Sequence, residues 1–221
     1  MTKSYANPEE KNLFFSDGSI KERKFLQEGK LEGEYTSYFS NGQIMAQLHF
    51  VHGKKNGVAA TYYHNSQVRE KATFINDKMD GPYISYYENG HIREEENYKD
   101  GKLDGRYQRF YKTGQLKEVE NFKNDKFNGE YICYYKSGQI KEKGYFINDK
   151  REGEYIAYFK NSQIKEQATY KSGNLAGNFL SFNENLSKEP GKGSDAPDDI
   201  KDEKYIADLL QDLANFDKRE K

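Results

Sequence analysis

Tryptophan is absent from the 221 residues, cysteine occurs once and proline four times. A lone cysteine, Cys133, excludes an internal disulfide framework and gives no support for secretion. No apolar run is long enough to cross a bilayer, and the opening MTKSYANPEEKNLFF lacks the apolar stretch of a signal peptide. A cytoplasmic location is the expectation. An excess of one charge is missing too: 35 Lys and Arg stand against 36 Asp and Glu, a net charge of −1. The stretch from Ser187 onward is acidic and the rest nearly balanced, which is a poor electrostatic footprint for nucleic acid.

What is present is aromatic and periodic. With 32% charged residues and a mean hydropathy of −1.12, disorder would be the usual expectation. Yet 19 Tyr and 14 Phe make up 15% of the chain, and they fall at fixed places. Aromatic rings bury a large area each, so a modest apolar fraction still orders a thin structure. Glycines mark a period of 24 residues, at Gly33, Gly57, Gly81, Gly105, Gly129, Gly153 and Gly177. A fixed period of this size belongs to an array whose units are each too small to bury a core alone.

One unit, 129–152, reads GEYICYYKSGQIKEKGYFINDKRE. Glu130 to Tyr135 and Ile140 to Phe146 have the Tyr- and Ile-rich composition of strands. Between such runs lie Asn41-Gly42, Asn89-Gly90 and their counterparts, the pairs that suit a two-residue type I′ hairpin turn. Ser66 and Ser162 replace the glycine twice, which implies a less comfortable turn or a longer loop. About fifteen strands follow, in a twisted antiparallel sheet on the order of 70 Å long.

Counting outward from a two-residue loop pairs Phe39 with Ile44, Ser37 with Ala46 and Tyr35 with Leu48 on a first, more apolar face. On the second face Tyr38 meets Met45 and Thr36 meets Gln47. Carried along the array, the second face holds Tyr38, Tyr62, Tyr86, Phe110, Tyr134 and Tyr158. Their expected cross-strand partners are the basic Arg69, Arg93, Lys117, Lys141 and Lys165. This column is the candidate partner-binding surface. Aromatics beside cations also suit single-stranded nucleic acid, but the balanced charge weighs against it.

The division expected is an array over 1–186, a flexible linker over 187–199 and an amphipathic helix over 200–221. Within the array lie a partial hairpin over 11–32, six full repeats over 33–176 and a terminal strand over 177–183. The helix would present Ile206, Leu209, Leu210, Leu213 and Phe216 to the sheet or to a partner.

No metal, cofactor or catalytic residue is expected. His49 and His52 have no third recurring ligand, and Cys133 fills a slot occupied elsewhere by Ser or Ala. Asn76 to Gly81 lacks the alternating acids of a calcium loop. The Glu70, Glu94, Glu118, Glu142 and Glu166 column reads as a solvated charge pattern, with members too far apart for paired-carboxylate chemistry. No cluster of titratable groups interrupting the repeat is apparent, although Arg109 breaks the small-residue slot.

The unit G-E-Y-I-x-Y-Y-x-N-G-Q-I-K-E-x-x-x-F-x-N-D-K-x-x-G resembles the bacterial variant of the MORN repeat, over roughly Leu13 to Phe182. The resemblance implies an all-β, elongated single sheet of hairpins that binds a protein and does no catalysis. Bacterial relatives are often antitoxin or immunity components, so a toxin-like partner is the sharpest expectation. A peripheral scaffold on anionic lipid is the alternative. The resemblance supplies no catalytic residues.

Overall fold

The computed structural model describes residues 7–184; the expected helix at 200–221, with Ile206, Leu209, Leu210, Leu213 and Phe216, lies outside the described residues. The described chain is all β, in a single antiparallel sheet where each strand pairs with the one before and the one after. Twenty strand segments occur, but five two-residue segments share a neighbour with the segment that follows. Lys54–Lys55 and Gly57–Tyr62, for example, both pair with Ile44–Val51. The sheet therefore has about fifteen strand positions, as the repeat count implies.

The type I′ geometry expected at the first turn of each unit is found at the second. At the first turn, Phe39 N donates to the Gln43 carbonyl and accepts on its own carbonyl from Gly42 N. The loop is thus Ser40-Asn41-Gly42, and only its last residue is left-handed, with φ 82° at Gly42. This is a three-residue turn closing on a bulge, not a two-residue type I′ turn. Ser66 and Ser162 occupy the same left-handed position at φ 63° and 64°, so the longer loop explains them. The type I′ geometry appears at the second turn. There Ile75 pairs with Lys78, and both Asn76 and Asp77 have positive φ, 50° and 70°.

A second bulge, further from the loop, shifts the register. Ser37 still pairs with Ala46, Thr36 with Gln47 and Tyr35 with Leu48, but Tyr38 pairs with Ile44 and Met45 is the extra residue. Tyr38–Met45 and Phe39–Ile44 are therefore not cross-strand pairs. The same shift recurs in every unit, at Thr61/Tyr62, Ser85/Tyr86, Arg109/Phe110, Cys133/Tyr134 and Ala157/Tyr158.

A bulge leaves backbone groups out of the ladder, and a tyrosine from the preceding unit meets one of them. Tyr63, Tyr87, Tyr111 and Tyr135 donate their hydroxyls to the carbonyls of Tyr86, Phe110, Tyr134 and Tyr158 at 2.7–2.9 Å. Tyr87→Phe should lower stability by about 1 kcal/mol through loss of one such bond. A urea midpoint measures it, and an unchanged midpoint would show that the carbonyl is satisfied by water. Phe39 and Phe159 hold the equivalent positions in the outermost units, so the ring alone fits.

The turn edge carries a second set of clasps. Asp77, Asp125 and Asp149 accept the backbone N–H of Lys55, Leu103 and Phe127 at 2.7–2.8 Å. Where glycine takes the turn position, a carboxylate twenty residues earlier replaces them: Glu32 accepts from His52 N, Asp80 from Asp100 N and Glu152 from Ser172 N. Consecutive units are tied at both edges by bonds that recur with the repeat.

Most buried side chains lie on the first face, where Tyr107, Tyr131, Phe122, Phe127 and Tyr170 are all under a tenth exposed. Edge-to-face pairs Tyr35–Phe50, Tyr83–Tyr98, Tyr107–Phe122, Tyr131–Phe146 and Tyr155–Tyr170 repeat at 5.9–6.3 Å. Phe127 fills the space between Phe122 and Phe146, at 4.4 and 5.3 Å.

Candidate functional site

The basic partners expected for the tyrosine column are not opposite it. Tyr62, Tyr86, Phe110, Tyr134 and Tyr158 pair with Val68, Ile92, Leu116, Ile140 and Ile164. Arg69, Arg93, Lys117, Lys141 and Lys165 occupy the extra position of the bulge. Four of them make ion pairs with the glutamate that follows: Arg69–Glu70 and Arg93–Glu94 at 3.2 Å, Lys141–Glu142 at 3.9 Å and Lys165–Glu166 at 2.9 Å. Arg93 also donates from Nε to Ser85 Oγ on the first face, at 3.2 Å. The physical reason is the bulge, which puts two consecutive residues opposite one and so breaks the alternation of faces.

The second face is left with an apolar stripe, one half-buried aromatic beside one aliphatic side chain in each unit. Toward the C-terminal end it becomes more open, with Ile140 36% and Ile164 38% exposed.

The glutamate column is not a solvated pattern. Glu118 and Glu142 are only 6% and 7% exposed on the first face. Glu142 accepts hydroxyl bonds from Tyr131 at 2.9 Å and Tyr155 at 2.8 Å, one on each oxygen. These bonds substitute for water, which makes burial of the carboxylate tolerable.

A titratable cluster does interrupt the repeat. Arg109, in the small-residue slot, lies 3.4 Å from Glu94 and 3.0 Å from Glu118 and donates from Nε to the Tyr107 hydroxyl at 2.9 Å. The Glu118 Oε1 contact is an ion pair without hydrogen-bond alignment. Burial works against the Arg109 charge, but Tyr107, Glu118 and Glu94 together hold its pKa above the ordinary value. Beside it sit Glu96 and Glu120, both buried. Desolvation pushes Glu96 up to about 7, against the lowering effect of the Tyr98 hydroxyl bonded to it at 2.6 Å. Desolvation, with the Glu118 charge second, pushes Glu120 up to about 8. Nothing in the glutamate column announced this pair. The signal lies in a neighbouring column, Leu48, Ala72, Glu96, Glu120, Gly144, Ala168, where two acids replace small or apolar residues.

Other candidates have plain structural roles. Burial raises the Cys133 thiol above its ordinary pKa, which disfavours the reactive thiolate. His49 Nδ1 lies 3.1 Å from the Asn56 carbonyl, and His64 stacks on Phe39 at 3.8 Å. Among the described residues no three metal-ligating side chains are grouped to hold an ion. A shallow depression around Gly144, lined by Tyr131, Tyr155, Arg151 and Tyr170, has room for about 10 Å³, roughly one water.

The family model described as MORN repeat variant matches residues 31–52, 55–76, 79–100, 103–124, 127–148 and 151–172. No curated protein matches the sequence. Among solved structures, a mutated form of the Photorhabdus luminescens Tc holotoxin pore is similar at 12% identity and a TM-score of 0.21. The match covers 80% of this chain but spans only 13% of that one.

Proposed function

Because this chain belongs to the MORN repeat variant family, whose unit it carries six times over, we propose that it is a non-catalytic scaffold that takes a protein partner along the apolar stripe of its second face. The observation carrying this reading is the repetition of Tyr or Phe against Ile, Val or Leu at one place in every unit. A continuous row of partly exposed aromatic and aliphatic groups is what protein interfaces use at their centres. A non-catalytic role is supported by the engagement of Glu94 and Glu118 with Arg109 and of Glu96 and Glu142 with tyrosine hydroxyls.

The narrower version, a toxin-type partner countered by an immunity protein in the cytoplasm, rests on family resemblance. The lipid alternative is weakened because Arg69, Arg93, Lys141 and Lys165 pair with glutamates instead of flanking the stripe. Ile140→Lys with Ile164→Lys should leave the fold intact, since both sites are open. The double variant should lose a stoichiometric partner that the wild type retains from its host, while neither binds anionic vesicles at low salt. A partner retained equally by both would remove the stripe from the interface. Vesicle binding abolished by the double variant would establish the lipid reading instead.

A further inference from the structure

Only two units place an acid in the column beside the buried tyrosines. Glu96 pairs with Tyr83, and Glu120 pairs with Tyr107. Because Glu94 pairs with Arg109 and Glu95 with Gln108, Glu96 also falls beside Tyr107, on its other side. Tyr107 therefore stands between two carboxyls, 9% and 4% exposed.

The groups facing them do not balance their charge. Glu96 is met by Arg93, Glu94 and Tyr98 of its own strand, by Tyr83 of Lys78–Tyr86, and by Tyr107 and Arg109 of Gly105–Phe110. Glu120 is met by Lys117 and Glu118 of its own strand, by Tyr107 and Arg109 of Gly105–Phe110, and, at the next register step, by Tyr131 of Gly129–Tyr134. Arg109 already serves Glu94 and Glu118, and Arg93 serves Glu94. Glu120 has no hydrogen bond or ion pair among the described residues.

A desolvated carboxyl without a partner takes up a cation or a proton. No metal-ligating trio exists among the described residues, and the depression at Gly144 does not reach Glu96 or Glu120. The proton is the ligand that fits.

We propose that Glu96 and Glu120 form a proton-operated joint at the middle of the array. Protonated, they let strands Ile92–Lys99, Gly105–Phe110 and Leu116–Lys123 close over Tyr107; ionised, they loosen these three strands while the neighbouring units stay paired. This goes beyond the proposed partner stripe, which lies on the other face and does not depend on it.

The sign follows from linkage. Both folded-state pKa values, about 7 and about 8, lie above the ordinary 4.5. The native joint binds more protons than the opened one, so its stability is full below the ordinary value and falls as pH rises through 7 and 8.

Hydrogen exchange of the full chain between roughly pH 5.5 and 8.5, corrected for intrinsic rates, tests this. Protection of the three strands should fall by about tenfold or more, since each pH unit within the window of one such group is worth a factor of ten. Ile140–Ile147 and Gly153–Tyr158 should change far less, and Glu96→Gln with Glu120→Gln should abolish the difference. A uniform fall along the array, or one that survives in the double variant, overturns the proposal. If that variant does not fold, side-chain carboxyl NMR of the wild type decides. Midpoints for Glu96 and Glu120 near 4.5 overturn the joint, and midpoints near 7 and 8 support it.

Discussion

Arg109→Ser should be the most damaging single change on the first face, lowering stability by about 3 kcal/mol. Serine is the residue other units carry in this slot, at Ser37 and Ser85, so the substitution itself fits. The loss comes from what it leaves behind. Arg109 is the cation bridging Glu94 and Glu118, whose side chains are 13% and 8% exposed, with Glu96 and Glu120 buried beside them. Removing one member of a buried ion pair strands the other in low dielectric. Adding Glu96→Ala and Glu120→Ala, the residue found at Ala72 and Ala168, should recover part of the loss. Chemical denaturation of the single and triple variants measures both steps. A neutral Arg109→Ser would mean that tyrosine hydroxyls, of the kind that bond Glu142, carry these carboxylates without the guanidinium.

Gly129→Ala should be comparably costly for an unrelated reason. Gly129 has φ 135°, a conformation nearly closed to side chains, and an added Cβ would lie 2.7 Å from Asn121 Cβ. Strain of this kind costs about 1–3 kcal/mol before the clash is counted. Relieving the clash moves Asn121, whose amide donates to the Glu130 carbonyl at 2.9 Å. Gly144→Ala is the matched control. Its φ is ordinary, its nearest neighbour is Tyr155 Cδ2 at 3.6 Å, and Ala72 and Ala168 fill the same column. That change should leave the melting temperature unchanged or slightly raised. Equal losses at both sites would mean that any side chain, and not the backbone conformation, is what the sheet rejects.

Ser66 and Ser162 contained the correction to the turn that the glycines concealed. Asn-Gly suits both a type I′ turn and the left-handed end of a three-residue loop, and only the second tolerates serine at that one position. Choosing the first shifted the pairing beyond Ser37 by one residue. It thereby assigned Arg69, Arg93, Lys141 and Lys165 to the tyrosine column instead of to the glutamates. The clasp pattern was equally readable. Each second turn from His52 to Gly173 carries one device or the other: an aspartate at Asp77, Asp125 and Asp149, or, where the turn has glycine, an acid at Glu32, Asp80 and Glu152.

The period of 24, the hairpin content and the strand count were fixed by the residues themselves, because glycine spacing and alternating aromatics permit little else. Burial of the acids was decided only once strands lay side by side. A glutamate reads as a surface residue until two tyrosines from the strands on either side close over it, and one of those strands belongs to the next unit, which the pairing within a single hairpin does not supply.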